Sequence, residues 1–210
     1  MDNAVALVRA YLHVNGYFTV TEYPVVEAMR PGDYQVMTDL DVLAFRFPGA
    51  GSLVPARGPA AATHEQMFET DPALGAPAEQ ADMLIGEVKE GRAELNRAAR
   101  NPEVLRAVLT RFGCCAREHV PHVVAELVRH GRAVTAGGHG VRLVAFGAVT
   151  DATVVRGYEA IALGHVVTFL QAYLQRHWEV LRHAQFKDPA FGFLMTLRKA
   201  MQAEDMEHGS

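Results

Sequence analysis

Apolar positions along the chain change period several times, and each change marks an element. From Ala4 to Val14, Val5, Leu7, Val8, Tyr11 and Leu12 recur at helical spacing, and Asn15-Gly16 supplies a stop. Tyr17 to Val26 is rich in β-branched and aromatic residues, with Phe18 and Val20 on one face, and predicts a strand. The turn signal Pro31-Gly32-Asp33 leads into a second strand, Tyr34 to Phe47, and Ala81 to Lys89 predicts a third. Between them, Pro48 to Gln80 is dominated by Pro, Gly and Ala and has little period. It reads as an inserted mobile flap, with His64 to Phe68 as a short helical candidate.

The second half is mostly helical in pattern. Asn101-Pro102-Glu103 starts a helix that Gly113 ends, and Pro121 to His130 forms another that Gly131 ends. Val141 to Val149 predicts a fourth strand after Gly137-Gly138-His139-Gly140, whose place before a strand reads as a hairpin turn, since a phosphate loop would precede a helix. A long helix is expected from Tyr158 to about Ala184, then a last one from Phe191 to Gln202, with a fraying tail from Glu204 to Ser210. The order predicts an α/β (α+β) fold, a mixed sheet flanked by helices. It divides into a core, 1–150, carrying the flap at 48–80, and a helical extension, 151–210, packing on it.

Two of these strands carry charge where a covered strand should be apolar. The first is Asp39-Leu40-Asp41-Val42-Leu43-Ala44, the second Ile85-Gly86-Glu87-Val88-Lys89. Glu87 and Lys89 are two apart, so a strand points both to one face while Val88 points to the other. A carboxylate and an ammonium there, facing a second carboxylate from a neighbouring strand, suit a divalent cation and phosphodiester hydrolysis. The competing reading is a solvated sheet face. Leu84-Ile85 and Val42-Leu43 speak against it, being apolar on both faces beside the charges, and charge buried there is costly without a partner.

Charge and cysteine usage narrow the classes. Lys plus Arg number 20 against 24 Asp plus Glu, which excludes a polybasic protein and confines any nucleic-acid contact to a local patch. Cys114 and Cys115 are adjacent and cannot staple distant segments, so a reducing, cytoplasmic setting is expected. The start of the chain has no basic region before an apolar run, and no apolar run is long enough for a membrane span.

The element order and the charged strands resemble the restriction-endonuclease-like superfamily, whose motif is an Asp in one strand followed by Glu-x-Lys or Asp-x-Lys in the next, the PD-(D/E)xK pattern. Asp41 and Glu87-Val88-Lys89 carry the likeness. Tyr11-Leu12-His13-Val14-Asn15-Gly16-Tyr17 and Asp39 to Ala44 look like the corresponding stretches of the small Holliday-junction-resolvase-like members. The resemblance covers roughly the first half of the chain. It implies a Mg²⁺- or Mn²⁺-dependent nuclease acting on DNA, with Asp41 and Glu87 and the Val88 carbonyl holding the metal and Lys89 acting on water or phosphate.

Two departures stand out. Many of those small members have a Glu on the first helix, whereas Ala4 to Ala6 is apolar here; Glu22 or Glu27 could substitute. The insertion between the motif strands is also longer than theirs. The alternative function is therefore a nuclease-fold binding or assembly module without catalysis.

Outside the motif, Arg92 and Asn96 are the expected substrate contacts. Other charges near them (Glu90, Glu94, Arg97, Arg100, Glu103, Arg106, Arg111) read mainly as a salt-bridged helix surface. His119 and His122 share a helical face but have no third zinc ligand at suitable spacing, and Cys114-Cys115 read as small buried residues. The C-terminal helices carry Phe169, Tyr173 and Trp178 over a wide apolar arc, which is core material or the seam of a homodimer.

Overall fold

The computed structural model describes residues 2–50, 70–150 and 157–208, with side chains up to Met201. Helix α1 (Asn3–Val14) opens the chain, capped by the Asp2 carboxylate on the Ala4 amide. A long hairpin follows, β1 (Phe18–Arg30) and β2 (Asp33–Arg46), then β3 (Asp82–Arg92). After it come α2 (Pro102–Phe112), α3 (Val120–His130), β4 (Arg132–Val134), β5 (Gly140–Val149), β6 (Glu159–Ala162), α4 (Leu163–Arg176), α5 (Trp178–Leu181) and α6 (Pro189–His208).

The strands form one mixed sheet in the order β1-β2-β3-β5-β4. The first two pairings are antiparallel, and β3 runs parallel to β5 through a crossover that contains α2 and α3. On the far edge of β5, β4 pairs antiparallel with residues 140–142 and β6 pairs parallel with residues 144–147. The mixed α/β expectation holds at this level.

Alternation along β2, β3 and β5 sorts the core into two layers. Val42, Ala44, Leu84, Val88, Val144 and Phe146 join α1 and α4 on one face. Leu43, Met83, Ile85, Val141 and Leu143 join α2 and α3 on the other. Both faces are thus covered along the middle strands, and a polar group there needs a partner. The β1–β2 hairpin is different. β2 pairs with β3 only from Val42 to Arg46, so the part beyond Leu40 is a two-stranded arm.

Several expectations change. Residues 159–162 form β6 in the sheet, so α4 begins only at Leu163, and the chain after 150 is not purely helical. That helix ends at Arg176, four-residue α5 follows, and α6 continues to His208 through the stretch expected to fray. Short β4 was not anticipated; with β5 it makes the hairpin expected around Gly138, closed by the Thr135 amide on the His139 carbonyl at 2.8 Å. Residues 51–69 of the expected flap, including His64 to Phe68, lie outside the described residues. Its far end is no loose flap: Asp71 and Leu74 are buried against α1 and α4, with Tyr11 donating to Asp71 at 2.7 Å. No helix among the described residues is long and apolar enough to cross a membrane.

Candidate metal and phosphate site on β2 and β3

Asp41 stands where β2 parts from β3, one residue beyond the last paired residues, Val42 and Gly86. Its Oδ2 accepts a hydrogen bond from the Val88 amide at 2.8 Å, so a side chain replaces the next backbone rung of the ladder. Glu87 follows Met83 and Ile85 on the α2–α3 face and is 1% exposed. Lys89, 42% exposed, donates to Glu87 Oε2 at 3.1 Å and lies 3.9 Å from Asp41 Oδ2. The three motif residues therefore converge on one point.

Asn96 completes the cluster from the segment before α2. Its amide donates to the same Glu87 Oε2 at 2.7 Å, and its own oxygen accepts from the Ala99 amide at 2.6 Å. Asn96, the residue expected to touch substrate, thus also holds Glu87 in place. Arg92 lies past a register shift at the end of β3 and pairs with Glu94 at 3.5 Å.

Gly147 is what lets the chain fold back this closely. After β3 the backbone passes over β5, where the Ala93 amide bonds the Val149 carbonyl at 2.8 Å. A Cβ on Gly147 would sit 2.3 Å from the Ala93 nitrogen, so no other residue fits without moving backbone. Sequence reasoning had no signal for Gly147 beyond a lone glycine in a strand, which does mark close approach.

The electrostatics centre on Glu87. Burial pushes its carboxyl up to about 7, the Asp41 charge adds to the rise, and Lys89 opposes it. Both hydrogen bonds go to Oε2, while Oε1 is buried with no hydrogen-bond partner among the described residues. A buried bare carboxylate oxygen is costly unless something binds it. A hard cation suits that atom: it takes carboxylate and carbonyl oxygens and favours the ionised form of a carboxyl that burial disfavours. Asp41, Glu87 and the Val88 backbone offer that donor set, and Asn96 and Lys89 offer none that competes for it.

Of the two acids considered as substitutes for a first-helix Glu, Glu27 pairs with Gln35 far along the arm. Glu22 falls between the paired Thr21–Val42 and Tyr23–Leu40, at the register position of Asp41. It is the only non-glycine among the described residues with positive φ, at 53°. Among the described residues, no three His, Cys, Asp or Glu side chains cluster closely enough to cage an ion.

Compared with models of known protein families, with curated proteins and with solved structures, the chain matches none.

Proposed function

We propose that this protein is a divalent-metal-dependent nuclease acting on DNA, with a restriction-endonuclease-like core and Asp41, Glu87 and Lys89 at its centre. The observation that carries the reading is the buried, unpartnered Oε1 of Glu87 beside Asp41 and Lys89. The order Asp, then Glu-x-Lys, on adjacent antiparallel strands supports it further. Asp41, Glu87 and the Val88 carbonyl would hold Mg²⁺ or Mn²⁺, which when bound acidifies water and offsets charge developing on the phosphate.

The chain's own groups have separable tasks. Asn96 and Lys89 fix Oε2, which aims the remaining oxygen of Glu87 and prevents the carboxylate from turning away. The Val88 amide holds Asp41 in the same manner. Lys89 has access to solvent, so it can meet a scissile phosphate and offset its charge, or orient the attacking water.

A cleavage assay on single-stranded, duplex and branched DNA, with Mg²⁺ or Mn²⁺, tests this alongside thermal melts. Wild type should cut and should melt higher with metal. Lys89→Ala should keep the metal-dependent rise but lose cutting by about a hundredfold or more. If wild type shows neither response with any divalent ion, the protein is a binding or assembly module built on this fold.

A further inference from the structure

On the sheet face that carries Glu87, the surface beyond the end of α2 opens into a cleft of about 360 Å³. Its floor is Leu43, Phe45 and Met83, and Phe18, Phe47 and Phe112 stand around it. Those last three rings are 70%, 57% and 42% exposed, an uneconomical arrangement for aromatic side chains that nothing among the described residues covers. They are not loose: Phe47 packs edge-on against Phe45 and Phe18 at centroid distances of 4.9 and 6.0 Å, and Phe112 against Tyr23 at 5.3 Å. The result is a preset aromatic platform.

The stretch of chain that contributes Phe112 to Cys114 to the cleft is locally basic, although the whole chain is negative. None of the described residues lining the cleft is acidic, and His139 stands at its wall. From Val104 to His122 the chain has three arginines and a single acid, Glu118. Of those arginines, Arg106 pairs with Glu103. Arg111 and Arg117 are exposed and have no acidic partner among the described residues. Arg111 is the chain neighbour of Phe112, and Arg117 follows Cys114 by three residues. Exposed rings combined with arginines are the means by which proteins hold single-stranded nucleic acid, the rings stacking on bases and the cations tracking phosphates.

Position ties the cleft to the proposed site. Leu43 and Phe45 are two and four residues from Asp41, about 7 and 14 Å along a strand. A few nucleotides of one DNA strand cover that distance. Helix α2 spans the two places, with Asn96 and Ala99 before its start at Glu87 and Phe112 at its end in the cleft.

We propose that this cleft binds unpaired bases of a DNA strand whose backbone reaches Asp41 and Glu87, so that the substrate is single-stranded or carries a single-stranded segment. The inference rests on the nuclease reading for its link to cleavage, but the binding itself does not require catalysis.

The test is fluorescence anisotropy with labelled oligothymidylate and with a duplex of equal length, in chelator so that nothing is cut. Wild type should prefer the single strand. Phe18→Ala and Phe47→Ala should each weaken single-strand binding by about tenfold or more, with unchanged melting, since both side chains are mostly exposed. Phe47→Leu should weaken it as Phe47→Ala does, because it keeps the apolar bulk and removes the ring, whereas Phe47→Trp should restore it. Arg111→Ala should lower the salt dependence of binding by about one unit of slope.

Equal affinity for duplex and single strand, or oligothymidylate binding that ignores both phenylalanine changes, overturns the proposal. So does retention of binding in Phe47→Leu, or a sedimentation shift toward smaller species in Phe18→Ala, which would make the cleft a contact between copies of this chain. The two readings fail separately. Expected binding with no cleavage by wild type under any metal removes the nuclease; metal-dependent cleavage with binding insensitive to the rings removes the base cleft.

Discussion

Strand β3 buries two carboxylates five residues apart, Asp82 and Glu87, each 1% exposed, and the sheet treats them in opposite ways. Asp82 faces α1. Tyr17 donates to it at 2.5 Å, and the Arg142 guanidinium donates to both its oxygens at 3.0–3.1 Å. Arg142 in turn donates to the Leu74 carbonyl and to Glu159, both at 2.5 Å. Both Asp82 oxygens have donors, and the group pins β3, β5, β6 and the Pro72–Leu74 turn together. Glu87 faces α2, has both its donors on one oxygen, and leaves the other bare. Burial alone therefore does not mark a functional acid. What separates the strut from the proposed site is whether the hydrogen bonding is finished.

The largest effect that would test this contrast comes from breaking the finished cluster. Arg142→Met keeps bulk but leaves Asp82 buried without its cation and Glu159 and Tyr17 without a shared donor. Loss of one partner from a buried pair costs about 3–5 kcal/mol. Chemical denaturation should show a fall of that size. The metal-dependent melting shift of whatever protein remains folded should persist, since Arg142 is on the other face. A loss below about 1 kcal/mol would mean that Asp82 is no strut.

The second effect concerns the unfinished acid and has the opposite sign. The Glu87 carboxyl is raised from an ordinary 4.5 to about 7, so between those values the folded protein holds a proton that the unfolded chain releases. Its contribution is fully present below about pH 4.5 and is lost as pH rises through 7. The amount is roughly 3 kcal/mol without metal. Glu87→Gln has no proton to lose there. It should be more stable than wild type at about pH 8, by up to about 3 kcal/mol, and should lose the melting rise with Mg²⁺ or Mn²⁺. Denaturation at about pH 5 and pH 8 checks it; a wild type as stable, relative to Glu87→Gln, at both would place the carboxyl in its usual range.

The contrast also shows what the sequence could and could not display. The helix ends were legible because local chemistry sets them: Asn101 and Pro102 start α2, and Gly113 and Gly131 end α2 and α3 in the left-handed region. The convergence of Glu87 and Lys89 followed from their spacing in a strand. Residues 159–162 read as helix because Ile161, Leu163 and Val166 fit a helical period, yet pairing with β5 decides their conformation. Asn96 was noticed for its nearness to the motif, but its task depends on the fold-back over Gly147, a contact between distant segments with no local trace. Asp82 and Arg142 carried the same signal as Glu87, charge within an apolar strand. Pattern alone could not tell that these two would meet.

The smallest effect tests whether backbone strain gathers at the unfinished end of this contrast. Glu22, level with Asp41 on the neighbouring strand, holds φ at 53°. For a residue with a Cβ, the left-handed region costs about 1–2 kcal/mol, whereas glycine enters it freely at an entropic cost of about 0.5–1 kcal/mol. Glu22→Gly and Glu22→Ala both remove the carboxylate, so the difference between them isolates the backbone. Glycine should be the more stable of the two by about 1 kcal/mol in thermal melts. Equal melting would mean that the local chain relaxes and no strain is held there. Cleavage by the pair then separates the remaining roles, since strain at a working site persists only where the surroundings enforce it. If glycine alone loses activity, the backbone conformation aligns Asp41; if both lose it equally, the Glu22 carboxylate takes part in the site.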